Sequence, residues 1–219
     1  MSLTGLRCAR CTALLSSTSR RLAYRDGSCP TCSALPPNVS ARIIATEYAS
    51  LCELFFAFKY ERHRFVGEIL ANHLAATLVG HPLAHRAELV VPVPLHRKRL
   101  RARGFNQSDV LAERAAKALG IRCAFDAVRR VRKTEQQARI RLRSERAANV
   151  AGAFSVDRSD LVRGRRVLLV DDVITTGATV GACADALRSA GASEVLAAAL
   201  AHPFHTIDGD RVDTDLYPL

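Results

Sequence analysis

The stretch from Val167 to Thr179, VLLVDDVITTGAT, constrains this chain more than any other. It opens on an apolar run of branched aliphatics, Val167 to Val170, the composition of a strand buried on both faces. Two carboxylates follow, Asp171 and Asp172, and then a turn of small and hydroxyl residues: Thr175, Thr176, Gly177, Ala178 and Thr179. Helical periodicity runs from Val180 to Ala190, with Gly191 as a stop signal. A strand that feeds a helix through such a turn presents backbone N–H groups with no intrahelical partner. Those amides and the helix dipole favour an anion. Gly177 allows close backbone approach, and the threonine hydroxyls add donors. The adjacent carboxylates suit another part of the same ligand, a vicinal diol or a magnesium ion. The predicted ligand is a sugar phosphate, held by its ring hydroxyls and by its phosphate.

Of the 219 residues, 48% are hydrophobic, enough for one domain or slightly more with a real core. No apolar run reaches membrane-span length, and the N-terminus lacks the apolar segment of a secretory signal. The expectation is a cytoplasmic protein with no membrane partner. Formal net charge is +11, much of it in RKRLRAR, RRVRK, RIRLRSER and RGRR between Arg97 and Arg166. Such runs serve as a solvated face, a polyphosphate site or a nucleic-acid surface. Aromatic content of 5% argues against single-strand binding by base stacking.

Cys8 and Cys11 form one C-x-x-C pair and Cys29 and Cys32 another, at an interval that fits a four-thiolate zinc site. Each turn offers two sulfurs, and two turns complete a tetrahedron. The segment is too short and polar to build its own core, so the metal would supply most of its stability. Disulfides are the competing reading, disfavoured in a reducing compartment. The role is structural, because four thiolates leave no open coordination position. A stiff connector at Leu35–Val39 divides a zinc-ribbon-like module, residues 1–39, from a domain over 40–219. Cys52, Cys123 and Cys183 are expected to be buried thiols.

Within that domain the sequence predicts a helix over Ala41–Leu54, and an amphipathic helix over Arg64–Val79 with Phe65, Ile69 and Leu70 facing the core. Glu88–Leu95 is a strand stopped by Pro92 and Pro94. After it, His96 through Gly104 is expected to be a cationic loop suited to pyrophosphate, since the planar guanidinium grips phosphate at two points. His96 is expected to be a loop residue rather than a catalyst. Ser108 caps a helix ending at Leu119–Gly120. Phe125–Arg132 and Gly152–Val156 are short strands, Thr134–Val150 is an exposed basic loop, and Glu194–Ala201 is a further parallel strand. The C-terminal tail holds no clear motif. The fold class is α/β, a parallel sheet flanked by helices.

Taken together, Val91–Leu95, the R-x-x-x-R-GFNQ segment from Arg99 to Gln107, Thr134 and Gln137, Arg146 and Asn149, and the DDVITTGAT loop resemble the ComF competence-protein family. The string Phe58–Tyr60 (FKY) and the double C-x-x-C resemble it as well; Ile140 departs conservatively from an expected leucine. The resemblance implies a type I phosphoribosyltransferase fold and a site for phosphoribosyl pyrophosphate (PRPP) with magnesium. Asp171 and Asp172 would meet the ribose hydroxyls and magnesium and carry the catalytic role. Thr175 to Thr179 would hold the 5-phosphate. Arg97, Arg99 and Arg103 would contact pyrophosphate, with Lys59 of FKY as a further PRPP contact, and the segment Thr134–Asn149 would close over the site. Two functions stay open: transfer of phosphoribose to an acceptor the sequence does not identify, or a non-catalytic accessory role in DNA uptake. The second would involve binding to single-stranded DNA or to a competence helicase, the latter through the zinc module. The oligomeric state, a homo-oligomer included, stays open as well. For the module, metal analysis of protein purified without chelator is expected to return one zinc per chain; a metal-free, folded chain would remove the site.

Overall fold

A computed structural model of the chain describes residues 36–60, 64–132, 134 and 148–202. In chain order these form β1 (Ala41–Glu47), a 3-10 turn (Tyr48–Leu51), α1 (Cys52–Tyr60), α2 (Arg64–Val79), a second 3-10 turn (Ala84–Arg86) and β2 (Leu89–Pro92). Then come α3 (Arg97–Arg103), α4 (Gln107–Leu119), β3 (Arg122–Cys123), β4 (Val128–Arg130), β5 (Phe154–Val156), α5 (Ser159–Val162), β6 (Arg166–Val173), α6 (Ala178–Ser189) and β7 (Glu194–His202). The four cysteines of the N-terminal module lie outside the described residues, and so do most of the basic segment after Thr134 and the C-terminal tail.

Five strands form one parallel sheet in the order β1-β7-β6-β2-β3, and β4 and β5 form a separate antiparallel pair. The apolar run of β6 explains its central place. Val167 and Leu169 enter one core with Val180, Cys183, Ala184 and Leu187 of α6. Leu168 and Val170 enter the other, with Leu74 and Leu78 of α2 and Leu111 and Ala115 of α4. Both faces of the strand are therefore covered, which is why its apolar residues do not alternate with polar ones. Each large aliphatic side chain buried this way contributes roughly 1.5–3 kcal/mol. Alanine-rich β7 would favour a helix alone, but bonded neighbours on both edges hold it extended. No helix among the described residues is long and apolar enough to cross a membrane.

Several local expectations are corrected. Ala41–Leu54 is not one helix: residues 41–47 pair with β7 from Ala41–Leu196 to Glu47–His202. The β-branched Ile43, Ile44 and Thr46 in ARIIATE suit a pleated surface, and the pairing outweighs the mixed polarity that reads as helix. The cationic segment after β2 is a helix, α3. His96 caps it by accepting from the Lys98 amide at 3.3 Å, and Gly104 ends it at φ 84°. Asn106, not Ser108, is the N-cap residue of α4, while Gly120 closes it in the left-handed conformation as expected. The strand anticipated over Phe125–Arg132 shortens to Val128–Arg130. Cys183 is buried, as expected, but Cys123 is only half-buried.

The phase of α2 also differs. Leu70 is fully buried, but Phe65 is 73% and Ile69 48% exposed. The packed face uses small residues. A Cβ at Gly67 would lie 2.5 Å from the Phe58 ring, and Ala71 and Ala75 are buried beside Leu74 and Leu78. Close approach selects glycine and alanine at positions 67, 71 and 75 between the inward-facing Leu70, Leu74 and Leu78, and leaves Phe65 and Ile69 outside.

Residues 36–40 pack on the domain. Val39 is fully buried, Ser40 donates its amide to Val195 O at 2.9 Å, and the Asn38 side chain bonds Asp185. The Pro36 ring lies against Gly181, where a Cβ would meet it at 2.6 Å. The connector thus runs along α6, reaching the sheet at the start of β1.

Candidate functional site

The strand order reverses direction once in the chain's path. From β2 the chain passes through α4 to β3 on one side; from β6 it passes through α6 to β7 on the other. Adjacent β2 and β6 therefore have connections that leave in opposite directions and open a crevice beyond their carboxyl ends, the usual ligand position in such sheets. The loop Ile174–Gly177 follows β6 on one side of that crevice, and α3 follows β2 on the other.

Asp171 and Asp172 are the last polar residues of β6, half-buried at the crevice. Asp171 Oδ1 accepts from Ser108 Oγ at 3.1 Å and from the Asp172 amide at 2.9 Å; Asp172 Oδ1 accepts from the Val173 amide at 2.7 Å. These bonds orient the carboxylates from the α4 side and from their own backbone. Ile174 is buried, Thr175 and Thr176 are half-buried, and Gly177 begins α6 at φ 78°, a conformation that a side chain would strain. Gly177 O accepts from the Gly181 amide at 2.7 Å, closing the first turn. Among the described residues no side chain from the N-cap position bonds this helix end. The Ala178 amide faces Thr176 Oγ1 at a long 3.4 Å. Its first turn is suited to an anion.

The arginines divide. Arg99 donates from Nη2 to Thr134 O at 3.1 Å, so the α3 side of the crevice meets the start of the basic segment. Arg103 bonds Gln107 Oε1 at 3.2 Å and braces the turn into α4. Arg97 is exposed on α3. The Lys59 side chain lies outside the described residues.

Arg130, on β4, adjoins the candidate site, and the sequence did not single it out. It is 5% exposed, lies 5.2 Å from the Phe154 ring centroid, and donates to Thr134 Oγ1. Burial, then repulsion from Arg99, pushes its guanidinium down to about 10, with Asp171 acting in the opposite sense. It remains charged at neutral pH. Arg99 and Arg130 thus converge on Thr134, close to Asp171, and among the described residues Arg130 Nε has no hydrogen-bond partner. Nothing but its place in VRR distinguishes Arg130 from other arginines of the basic run.

The phosphoribosyl transferase domain family matches residues 106–214. Competence protein F of Haemophilus influenzae is 32% identical over 180 residues, covering 80% of this chain and 78% of that protein. The chain belongs to the competence protein F family. DNA utilization protein YhgH of Escherichia coli (strain K12) is 34% identical over 178 residues, covering 76% of this ComF-family chain and 74% of that one. Among solved structures, glutamine phosphoribosylpyrophosphate (PRPP) amidotransferase from B. subtilis is 27% identical with a TM-score of 0.43, covering 61% of this chain and 26% of that one. The chain thus spans about a quarter of that enzyme.

The GFNQ segment of this ComF-family chain is held from within. Asn106 Nδ2 donates to Val93 O at 3.1 Å and to Asp109 Oδ1 at 2.7 Å, tying the α4 start to the end of β2. Burial raises Asp109 from 3.8 to about 6, against the lowering effect of that Asn106 bond. A carboxyl whose pKa is raised on folding holds its proton longer folded than unfolded. Its contribution to stability therefore falls as pH rises from 3.8 to about 6, and the cost persists above. Asp109→Asn is expected to remove this fall, seen as a flatter denaturation midpoint over that interval and a higher midpoint at pH ~7. An unchanged profile would mean that burial does not govern this carboxyl.

Proposed function

We propose that this chain binds PRPP or a closely related sugar phosphate with magnesium in the β2–β6 crevice, and transfers phosphoribose to an acceptor. The observation that supports this most is the convergence at one switch point of two carboxylates, a glycine-started helix and two arginines. The first turn of α6 would take the 5-phosphate, with Thr175, Thr176 and Thr179 adding hydroxyl donors. Asp171 and Asp172 would take the ribose hydroxyls. Their oxygens at the crevice also suit a hard divalent cation, so magnesium fits the donor set. Bound there with the ligand, it would neutralise charge on the diphosphate. Arg99 and Arg130 would face the diphosphate from the other side.

In the transfer, the bond from C1 of the ribose to the diphosphate oxygen breaks, and its electron pair leaves with the diphosphate. A lone pair on the acceptor forms the new bond to C1. The arginines stabilise the departing charge, which is worth most in a site with little water. Arg130 is already desolvated and therefore arrives in place without further ordering. The reaction belongs to a compartment that supplies PRPP and magnesium, the cytoplasm. The zinc held by Cys8, Cys11, Cys29 and Cys32 would have a structural part only.

Asp171→Asn with Asp172→Asn tests the site while keeping its shape. Bonds to a charged group contribute roughly 1.5–3 kcal/mol each, so titration calorimetry with magnesium and PRPP is expected to show affinity at least about a hundredfold weaker. Undiminished affinity in the double variant would place the ligand elsewhere.

A second reading rests on α3, where Arg97, Lys98 and Arg101 are exposed on one short helix beside the crevice. The names of relatives, competence protein F and DNA utilization protein YhgH, support a polyanionic partner for that cationic surface. Single-stranded oligonucleotide binding is expected to weaken steeply with salt, and Arg97→Ala with Arg101→Ala to lower the salt slope by about 1.4, at ~0.7 per phosphate contact. Binding that ignores salt, or a slope untouched by the substitutions, would discard it.

A further inference from the structure

The outer face of α2 and α4 combines a projection, a recess and balanced charge. On α2, Phe65 and Ile69 lie one turn apart and stand 73% and 48% exposed. One turn along α2 from Phe65, Glu68 enters the lining of a cleft of about 650 Å³ between the two helices. Its floor includes Phe58 and Phe105, whose ring centroids lie 5.6 Å apart. Its rim carries Glu68, Glu113, Arg114 and Lys117. This face lies on the helix layer, and neither Phe65, Ile69 nor the charged rim residues enter the sugar-phosphate reading.

We propose that this face is a two-fold interface between two copies of the chain. An isologous interface must be complementary to itself, so that each contact occurs twice. A projecting aromatic next to an aromatic-floored recess meets that demand: Phe65 of each copy enters the cleft of the other. The charges meet it as well. Glu113 and Lys117 lie four residues apart on α4 and are both exposed. Antiparallel apposition of two α4 helices sets Glu113 of one copy against Lys117 of the second, and the reverse.

Charge favours a second copy over other occupants. The chain carries +11 in all, so two copies repel over most of their surface. The cleft rim holds two acids and two bases, a face of no net charge where that repulsion is least. The same acids disfavour a polynucleotide or a free polyphosphate, which would be drawn to α3 instead. Dimerisation also reaches the crevice. Phe105, on the cleft floor, directly precedes Asn106, which bonds Val93 O, and Ser108, which bonds Asp171.

Sedimentation velocity on the full, zinc-replete chain over a range of concentrations tests this. The wild type is expected to approach twice the chain mass. Phe65→Glu should weaken association roughly tenfold or more, the effect of losing a central aromatic anchor. Ile69→Lys should act in the same direction. Both positions are exposed, and unchanged thermal melting would show that the fold survives; where Phe65→Glu melts early, Ile69→Lys carries the test. Lys117→Glu alone should dissociate the pair, and Lys117→Glu with Glu113→Lys should restore it, an outcome that a merely sticky apolar patch would not produce. A wild type that stays monomeric at every concentration overturns the proposal and leaves the cleft to a different protein. A dimer indifferent to both apolar substitutions overturns it too, since association would then use another face.

Discussion

Everything in this site depends on β6 being bonded on both edges and covered on both faces. A strand so placed cannot host a carboxylate along Val167–Val170, where every residue is fully buried. Ionised carboxylates there would lose solvation with no partner to compensate. They can stand only where the sheet ends, and there Asp171 and Asp172 meet the hydroxyl of Ser108 and backbone amides. The reversal of strand order between β2 and β6 then supplies the space in front of them. Core packing and site chemistry are two consequences of one placement.

Where the sequence was legible, local and tertiary preferences agree. The apolar run of β6, the second parallel strand after α6 and the glycine that closes α4 all follow from their own residues. Where it was not, the decisive term was non-local. In β1 the helical reading of a mixed stretch loses to a parallel partner far away in sequence. In α2 the inner face was chosen by how closely Phe58 approaches Gly67, which no periodicity reveals. The arginine-rich segment after β2 lacks an apolar stripe, yet arginine is a good helix former, and His96 and Gly104 terminate it at each end. Within the candidate site, the DDVITTGAT group could be singled out from sequence because its chemistry is contiguous. Arg130 could not, because only the β4–β5 pairing separates it from its equally basic neighbours.

The positive charge of the chain is less available than its total suggests. Arg86 pairs with Glu194, Arg129 with Asp157, Arg166 with Glu88, and Arg158 with both Asp126 and Asp160. All these arginines are about half-exposed, so each pair adds little stability. Their effect is to reduce the local field over the lower sheet and the β4–β5 side. Arg99 of α3 and the buried Arg130 instead meet at Thr134, at the border of the crevice.

Arg130 shows why that distribution is informative. A guanidinium taken almost fully from water beside another guanidinium is an arrangement that stability alone would select against. Phe154 beneath it, the Thr134 hydroxyl and the field of Asp171 offset part of the cost. An anion bound between Arg99 and Arg130, as proposed, would offset the remainder, because the attraction acts in the same low-dielectric surroundings that make the cluster costly. A multiply charged diphosphate draws more from such a pair than a single carboxylate would, since each guanidinium can engage its own phosphate oxygens. The cost of the cluster and the charge of the proposed ligand therefore have the same physical origin.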